Sequence, residues 1–396
     1  MYQLGFPVFD ADNHMYETPD SVSRHLPKKY DGAIEFVQVR GHTRIAVKGQ
    51  IVRYIPNPTF EKVARPGAHV DYYAGRNEKG LTIRQMTGEP IESTDAMRRP
   101  DARIELLDKQ GVQNAFVFPT LANLVEQSAM DDPDLVHALV HAINQWMLED
   151  WTFNYQGRIF ATPVIALPLV DEAIRELEWV LERGAKAILI RPAPVNGLRG
   201  YRSPGLPEFD PFWRRVVEAD IPVVVHATFP ILGDYASMWE PGNHQNPFKE
   251  NAFRNLVVGH RDIHDFIGSF ICHGTFTRFP RLRVASVENG TGWVGPLLRD
   301  LRHIYKQIPP QFDENPIDVF RRNVWVSPFW ETEVPEALNI VSEDRLLFGS
   351  DYPHPEGLAE PLEYYDYVKD LDPVVIRKLM STNAYNLVGV SAPVAA

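Results

Sequence analysis

Eight short apolar runs, rich in Val, Ile, Leu and Phe, recur along the chain, and most are followed by an amphipathic helical pattern. Their continuous apolar character is typical of strands covered on both faces, as in parallel sheets. The runs are "PVFDA" (7–11), "NAFVFPT" (114–120), "RIFATPVIAL" (158–167), "AKAILIRP" (185–192), "IPVVVHA" (221–227), "LRVASVEN" (282–289), "NVWVSPF" (323–329) and "RLLFGSD" (345–351). Eight strands with intervening helices predict an α/β fold, a (β/α)8 TIM-like barrel.

One segment interrupts this alternation. Residues 28–94 contain "IEFVQVRGHTRIAVKG", which predicts a β-hairpin around Gly41 and His42, and then a stretch rich in Pro and Gly. Because it follows the first strand, we expect an insertion on the C-terminal face of the barrel that caps the site. Residues 1–390, including this insertion, are interpreted as one domain, followed by a frayed tail at 391–396.

Charge and cysteine content exclude several classes of protein. The 396 residues include 40 Lys and Arg against 52 Asp and Glu, a formal net charge of −12. This argues against nucleic acid or an anionic membrane as partner, since both require clustered positive charge. Cys272 is the only cysteine, which excludes an intrachain disulfide and a thiolate zinc cluster. Without a secretory signal or a bilayer-spanning apolar run, we expect a soluble, cytoplasmic protein.

Polar side chains stand at the carboxyl ends of five predicted strands. They are Asp12 and His14 on the first, Arg191 on the fourth, His226 on the fifth, Glu288 on the sixth and Asp351 on the eighth. The βα-loops of a barrel converge on one opening, so these side chains are expected to lie together. Alone, His226 is more often a core histidine and Asp351 a turn former. Together, imidazoles and carboxylates favour a divalent cation such as zinc or manganese.

Several of these motifs resemble a known family. "VFDADNH", "VVVHA" and "FGSDYPH" resemble the amidohydrolase superfamily, in the branch of aminocarboxymuconate-semialdehyde decarboxylase and the metal-dependent aromatic-acid decarboxylases. "RFPRLRVASVENGTGWV" (278–294) and "DARIELLDKQGVQNAFVFPT" (101–120) resemble the same branch, so the likeness covers nearly all of the chain outside 28–94. The resemblance implies one divalent cation held by Asp12, His14, His226 and Asp351, with one coordination position open for water or substrate.

The sixth strand departs from the pattern of this family. Many relatives carry His-Gly there, whereas this chain has Glu288 followed by Asn and Gly. A carboxylate near a cation can act as a base or as an extra ligand. His273 lies late in the helix before this strand, so we expect it at the opposite end of the barrel. His260 and His264 begin that helix and are candidate substrate-binding residues, with solvated capping as an equal alternative.

Further residues are expected around the site. Arg191 suits a substrate carboxylate, with an ion pair to a neighbouring acid such as Glu288 as an equal alternative. Glu17 is expected to support the metal ligands, and His354 either orients Asp351 or is an ordinary loop residue. Five aromatic residues either line a flat apolar pocket or belong to the core: Tyr72, Tyr73, Trp325, Phe329 and Trp330.

The resemblance favours non-oxidative decarboxylation of a small aromatic or unsaturated carboxylic acid. The cation would chelate the substrate, Asp351 or Glu288 would deliver a proton to carbon, and His226 would act as ligand. The alternative is a hydrolase that attacks an amide, ester, lactone or C–C bond with activated water, with Asp351 as base. A third reading is an inactive barrel used for binding. Relatives are often dimers, so a homodimer is a further expectation.

Overall fold

The computed structural model describes residues 2–393, except residues 53, 56, 229–231, 243–249 and 331–332 and the side chains of Asn123 and Asp234. Its strands are β1 Phe9–Asp10, β2 His14–Met15, β3 Ile34–Val39, β4 His42–Val47, β5 Gln50–Ile51, β6 Lys62–Val63, β7 Ile91–Glu92, β8 Asn114–Pro119, β9 Ile159–Ala161, β10 Ile188–Ile190, β11 Val195–Gly197, β12 Gly200–Arg202, β13 Val223–His226, β14 Val284–Val287 and β15 Val324–Val326. Part of the predicted tail, residues 394–396, lies outside the described residues.

Parallel strands form two sheets. In one, β8 pairs with β1, β2 and β9, and in the other the order is β10-β13-β14-β15. Single bridges join Val164 to Leu189 and Val326 to Leu346, so the second sheet contacts the first and the predicted eighth strand. Ala11 N donates to Phe348 O at 2.8 Å, which joins that strand to the first. Seven of the eight predicted strand positions therefore contain parallel, mostly short strands, and the eighth, at 345–351, contains a single bridge at Leu346.

Helices follow most of these strands. They are α1 Val70–Tyr73, α2 Ile83–Thr87, α3 Pro100–Gln110, α4 Ala122–Ser128, α5 Pro133–Asp150, α6 Val170–Glu182, α7 Asp210–Glu218, α8 Gly233–Trp239, α9 Ala252–Val258, α10 Arg261–Cys272, α11 Thr275–Arg278, α12 Val294–Gln307, α13 Pro316–Asn323, α14 Val334–Leu338, α15 Tyr365–Val368, α16 Pro373–Arg377 and α17 Asn383–Val388. Helix α3 begins with Pro100, which has no N–H to satisfy, and ends at Gly111 in the left-handed conformation. In the described residues, no helix is both long and apolar enough to cross a bilayer.

The segment between the first strand and α3 contains an antiparallel hairpin. Strands β3 and β4 pair from Ile34 with Val47 to Val39 with His42. The two loop residues, Arg40 and Gly41, both have positive φ, as the tight turns that match strand twist require. The turn is thus centred one residue earlier than the sequence predicts.

Alternation along the parallel strands decides which side chains face the interior under the site. Phe9, Phe116 and Phe160 pack together, with the ring of Phe9 5.2 Å from Phe116 and 5.9 Å from Phe160. Val224 belongs to the same buried cluster, whereas its neighbours Val223 and Val225 pack on the helix side. His226 follows Val224 by two residues and therefore leaves the strand on the interior face.

Candidate metal and active site

Four of the predicted metal ligands lie within a few ångströms of one another at the strand ends. The Nε2 atoms of His14 and His226 are 3.0 Å apart. Asp12 Oδ1 is 3.3 Å from His14 Nε2 and 3.4 Å from His226 Nε2, and Asp351 Oδ1 is 3.4 Å from His14 Nε2. All four residues are buried. The structure therefore brings together the four side chains for which the sequence predicts a common cation.

Hydrogen bonding fixes which nitrogen of His226 faces this cluster. His226 Nδ1 lies 2.5 Å from Ala227 O, so Nδ1 carries the hydrogen and the Nε2 lone pair points toward Asp12 and His14. Burial alone would lower the pKa of His226, but the carboxylates of Glu288 and Asp12 raise it to about 9. Burial lowers the pKa of His14 to about 4. Without an ion, His226 is therefore the charged imidazole and His14 the neutral one, and the Nε2 lone pair of His226 becomes available when its proton leaves.

The chemistry of this donor set fits a divalent ion. Ligand atoms of Asp12, His14 and His226 all lie within 4.8 Å of one another. Asp12 Oδ1 and Asp351 Oδ2 are buried, and neither has a hydrogen-bond partner among the described residues. Buried carboxylate oxygens are normally satisfied, so this arrangement is what a cation would complete. Nitrogen and oxygen donors in this ratio suit zinc or manganese.

Asp351 is held by His354, whose ring is stacked on that of His14. His354 Nδ1 lies 2.8 Å from Asp351 Oδ1, and His354 Nε2 lies 3.2 Å from Thr120 Oγ1. Because Thr120 Oγ1 donates to Met15 O, it accepts from His354 Nε2, which leaves Nδ1 as an acceptor facing Asp351. Burial and the charges of Glu288 and Asp12 hold the pKa of Asp351 well above its usual value. A proton is therefore shared between Asp351 and His354.

Glu288 enters the site from the end of β14. Its Oε2 atom is 3.0 Å from His226 Nε2. Both Glu288 and Asp351 have φ of 57°, in the left-handed region that residues with side chains rarely adopt. Such conformations are frequent at functional sites, where contacts with the surrounding structure compensate for the backbone strain.

Buried polar groups outside the cluster hold the loops that carry Asp12 and Asp351 in place. Asp10 accepts hydrogen bonds from Asp12 N and Ser350 N through Oδ1, and from Asn13 Nδ2 and Ser350 Oγ through Oδ2. It therefore joins the loop that carries Asp12 to the loop that carries Asp351. From the sequence alone, Asp10 is either a turn former or a strand-edge residue that orients its neighbours; in the structure its carboxylate accepts hydrogen bonds from both loops.

Arg103 of α3 reaches the same loop from below. It is fully buried, and its Nη2 donates to His14 O at 2.8 Å and its Nε to Ala96 O at 2.6 Å. Its Nη1 donates to Asn13 Oδ1. Burial lowers the pKa of Arg103 to about 10. The position of the His14 carbonyl, in a predicted ligand, is thus fixed by a side chain of α3 that lies about 90 residues later in the sequence.

The cluster lies in a cavity of about 950 Å³. His14, His226, Glu288 and His354 line one part of it, and side chains of the 28–94 segment line another. Of the five aromatic residues predicted to line a pocket, Tyr72, Tyr73 and Phe329 do so. Trp325 and Trp330 are buried elsewhere; the Trp330 Nε1 donates to Glu356 O, and the Trp325 ring lies under Arg345.

Of the three predicted substrate-binding residues, only one lines the large cavity. His260 lines the cavity, and its Nδ1 lies 2.8 Å from Asn289 O. His264 bonds its neighbour Asp265 and is not among the described residues that line the cavity. Arg191 donates to Gln127 Oε1 and lines a separate cavity of about 30 Å³ beside Glu126.

Two other predicted positions lie near the edge of the site or away from it. Glu17 Oε1 accepts from Leu121 N at 2.6 Å, and burial raises the pKa of Glu17 to about 8. It supports the loop after β8 rather than contacting a ligand directly. His273 is exposed, its Nδ1 lies 3.1 Å from Ser203 Oγ, and it is not among the described residues that line the cavity.

Sequence reasoning missed several residues of the cavity. They include Tyr16, Tyr54, His69, Arg254 and Glu356. Glu356 was within reach of prediction, because it follows Asp351 by five residues in the same loop, "DYPHPEG". Tyr54 and His69 belong to the 28–94 segment, whose path over the site no local pattern specifies.

Parallel strands with imidazoles and carboxylates converging at their ends define a class of metal-dependent enzyme. A family model described as Amidohydrolase matches residues 67–390, and the chain belongs to this family. The match confirms the resemblance drawn from the motifs and, with the relatives, shows a metal-dependent enzyme of the amidohydrolase superfamily. The family match begins after Asp12 and His14, so these two positions rest on the geometry described above.

Relatives and solved structures support the assignment to this family. An amidohydrolase from Mycobacterium avium subsp. paratuberculosis K-10 is 35% identical, with a TM-score of 0.92 over 97% of this chain and 99% of that chain. Gamma-resorcylate decarboxylase from Rhizobium radiobacter is 22% identical over 73% of this chain and 88% of its own length. A manganese-bound 5-carboxyvanillate decarboxylase from Novosphingobium aromaticivorans DSM 12444 has a TM-score of 0.60 at 16% identity, covering 98% of this chain and 97% of that chain. This family membership implies a TIM barrel.

Proposed function

We propose that the protein is a metal-dependent decarboxylase of an aromatic carboxylic acid. The observation that carries the proposal is the convergence of Asp12, His14, His226 and Asp351 at the base of a large cavity lined by aromatic side chains. The relatives named as decarboxylases of aromatic acids, and the manganese in one of their structures, support the same activity.

The four ligands would hold one divalent ion, zinc or manganese. When bound, the ion would supply positive charge that orients the substrate carboxylate and stabilises negative charge developing on the ring substituents. His226 contributes Nε2 to this set because Ala227 O fixes its tautomer. Asp10 and Arg103 keep the loops of Asp12 and His14 in place, so the geometry exists before substrate arrives.

Asp351 and His354 would move the proton. The proton shared between Asp351 Oδ1 and His354 Nδ1 is delivered to the ring carbon that bears the carboxylate. The bond from this carbon to the carboxylate then breaks, CO₂ leaves, and the electron pair restores the aromatic ring. Asp351 recovers its proton from solvent. Glu288, whose Oε2 atom is 3.0 Å from His226 Nε2, would place a negative charge beside the ion and exclude a second anion from that side.

We further propose that the strands close into a barrel and that residues 28–94 cap its opening. The bridges between Val164 and Leu189 and between Val326 and Leu346 support closure. The cap is supported by Tyr54, Phe60, His69 and Tyr73, which line the cavity from this segment. The single domain, cytoplasmic location and homodimer expected from the sequence stay predictions.

The test begins with the metal content of the purified protein, measured by elemental analysis. We expect about one manganese, zinc or similar ion per chain, lost in the His226→Ala, Asp351→Ala double variant. The control is His303→Ala, Asp300→Ala, which removes an exposed imidazole and an exposed carboxylate from α12 and should leave the metal content unchanged.

Release of CO₂ then separates the two activities. Manganese-loaded protein is incubated with 2-hydroxybenzoate, 2,6-dihydroxybenzoate and two-ring hydroxy acids, and we expect CO₂ in an amount equal to the decarboxylated product. Turnover of amides, esters or lactones without CO₂ would assign the site to the alternative, hydrolysis. Bound metal with no turnover of either panel would contradict the proposed function and favour a binding protein.

A further inference from the structure

We propose that the substrate is a flat aromatic carboxylic acid of two rings, fused or directly joined, rather than a single-ring acid. This inference rests on the proposed function, because it assumes that a carboxylate lies at the cluster of Asp12, His14, His226 and Asp351. It goes further by naming the size and shape of the part that lies beyond the carboxylate.

The first observation is a continuous row of rings that leads away from the cluster. The His14 ring is stacked on His354, with centroids 3.9 Å apart, and the His354 ring lies 5.9 Å from that of Tyr16. Tyr16 is stacked on Phe60, with centroids 4.5 Å apart and an interplanar angle of 13°. All four residues line the cavity. The wall therefore begins at a metal ligand and ends at an aromatic residue of the 28–94 segment.

Flat ligands gain most from such a wall. Aromatic rings attract one another in offset-stacked and edge-to-face arrangements, and they bury large apolar areas when they do so. A single-ring acid held at the cluster would reach the first rings of the row only. A second ring, in the plane of the first, extends along the row toward Phe60.

The second observation is the size of the cavity. A volume of about 950 Å³ lies at the upper end of the roughly 300–1,000 Å³ typical of ligand pockets. Because water occupies about 30 Å³ per molecule, this space has room for roughly 30 heavy atoms. A single-ring hydroxy acid of about ten heavy atoms would leave roughly two-thirds of it to water. Most of the lining beyond the cluster is apolar, which makes such a water-filled remainder unfavourable.

The third observation is the wall on the other side. Tyr73 and Phe329 line the cavity and contact each other edge to face, with centroids 6.4 Å apart. Tyr72 packs against Tyr73 in the same way at 5.4 Å. Burial and the charge of Glu356 raise the pKa of Tyr73 well above its ordinary value, so its phenol stays neutral. This wall of the extended space thus consists of neutral aromatic groups, which suit a second ring better than a second carboxylate.

The test compares binding of matched acids by isothermal titration calorimetry. The probes are 2-hydroxybenzoate with one ring, and 1-hydroxy-2-naphthoate and 3-hydroxybiphenyl-4-carboxylate with two. We expect the better two-ring acid to bind at least about tenfold more tightly, since about 60 Å² of newly buried apolar surface is sufficient for that. Binding is measured on manganese-loaded protein and again after chelation, because the preference arises from the walls and should persist as a ratio.

Two variants locate the preference. Ala64→Trp places a large ring in the cavity from the 28–94 segment, and Phe60→Leu removes the last ring of the row. Each should reduce the two-ring preference to about threefold or less, while the affinity for 2-hydroxybenzoate stays within threefold. Phe253→Leu is the matched control, because Phe253 contacts Trp239 and is not among the described residues of the cavity lining.

The outcomes separate this inference from the proposed function. Equal affinities for one-ring and two-ring acids, a preference that survives Ala64→Trp, or no binding of any probe would overturn the inference. CO₂ release from 2-hydroxybenzoate with no two-ring preference would overturn it and leave the decarboxylase standing. A two-ring preference in a protein that releases no CO₂ would support the inferred ligand shape and count against the reaction.

Discussion

Replacing Arg103 by Met tests whether a buried cation holds the ligand loop in place. The guanidinium donates to His14 O, Ala96 O and Asn13 Oδ1, and its Cζ atom lies 5.2 Å from the centroid of the Tyr352 ring. Methionine occupies a similar space and removes all three donors. The acceptors remain buried and lose their partners.

The expected loss follows from these contacts. An acceptor left unsatisfied in the interior costs about 1–3 kcal/mol, and the stacking of a guanidinium on an aromatic ring about 1 kcal/mol. Part of this loss in the free energy of unfolding is offset, because the methionine variant no longer has to desolvate a charged group on folding. We therefore expect Arg103→Met to lower the free energy of unfolding by about 3–5 kcal/mol. Affinity for manganese should fall about 10–100-fold, as is usual when groups that orient metal ligands are changed.

Urea denaturation gives the first quantity and competition with a metallochromic chelator the second. The matched control is Arg99→Met, one turn earlier, where the guanidinium is exposed and forms ion pairs with Asp95 and Asp101. Its free energy of unfolding should change by no more than about 0.5 kcal/mol. A loss below about 1 kcal/mol for Arg103→Met, with unchanged metal affinity, would refute the assignment of Arg103 to this loop.

Two further changes probe the site and the stability of the fold. A Cβ at Gly349 would lie 2.5 Å from Asp12 Cβ, so Gly349→Ala should displace Asp12 and lower manganese affinity about tenfold or more, measured by the same competition. Unchanged affinity would mean that the two loops separate freely. Glu176 hydrogen-bonds His141 at 2.7 Å and raises the pKa of this imidazole. The stabilisation by this pair is therefore complete below the pKa of His141 in the unfolded state. It is lost as the pH rises through the higher pKa of His141 in the folded state. His141→Gln should lower the free energy of unfolding by about 0.5 kcal/mol at low pH and by less at high pH; equal losses at both would contradict this sign.

The sequence predicted the positions of the strands and of four converging side chains because both depend on local pattern. An apolar run with a polar end can be recognised without knowledge of its neighbours, and Asp12, His14, His226 and Asp351 all stand at such ends. The class of fold and the family follow from the same motifs. The role of each site residue stays a prediction until the variants are measured.

Other features depend on contacts that no local pattern reveals. Arg191 follows β10 directly, yet its guanidinium turns to Gln127 of α4 and away from the large cavity. Arg103 belongs to "DARIELLDKQ", which reads as a helix with an exposed polar face, and it is fully buried. In both cases the direction of a long side chain is decided by its tertiary partners, since several rotamers are equally compatible with the helix or strand itself.

Asp10 and Ser350 are joined by a hydrogen bond although 340 residues separate them in the sequence. The predicted ligands on either side of this bond, Asp12 and Asp351, therefore become neighbours only when the first and the predicted eighth strand have met. A contact of such long range has a high entropic cost of closure and is expected late in folding. A fragment that ends before Ser350 keeps three of the four predicted ligands, lacks Asp351, and loses the two hydrogen bonds that Ser350 donates to Asp10. Metal binding would therefore require that the loop of Asp12 and the loop of Asp351 are already in contact. Removal of the metal by a chelator should weaken this contact before others.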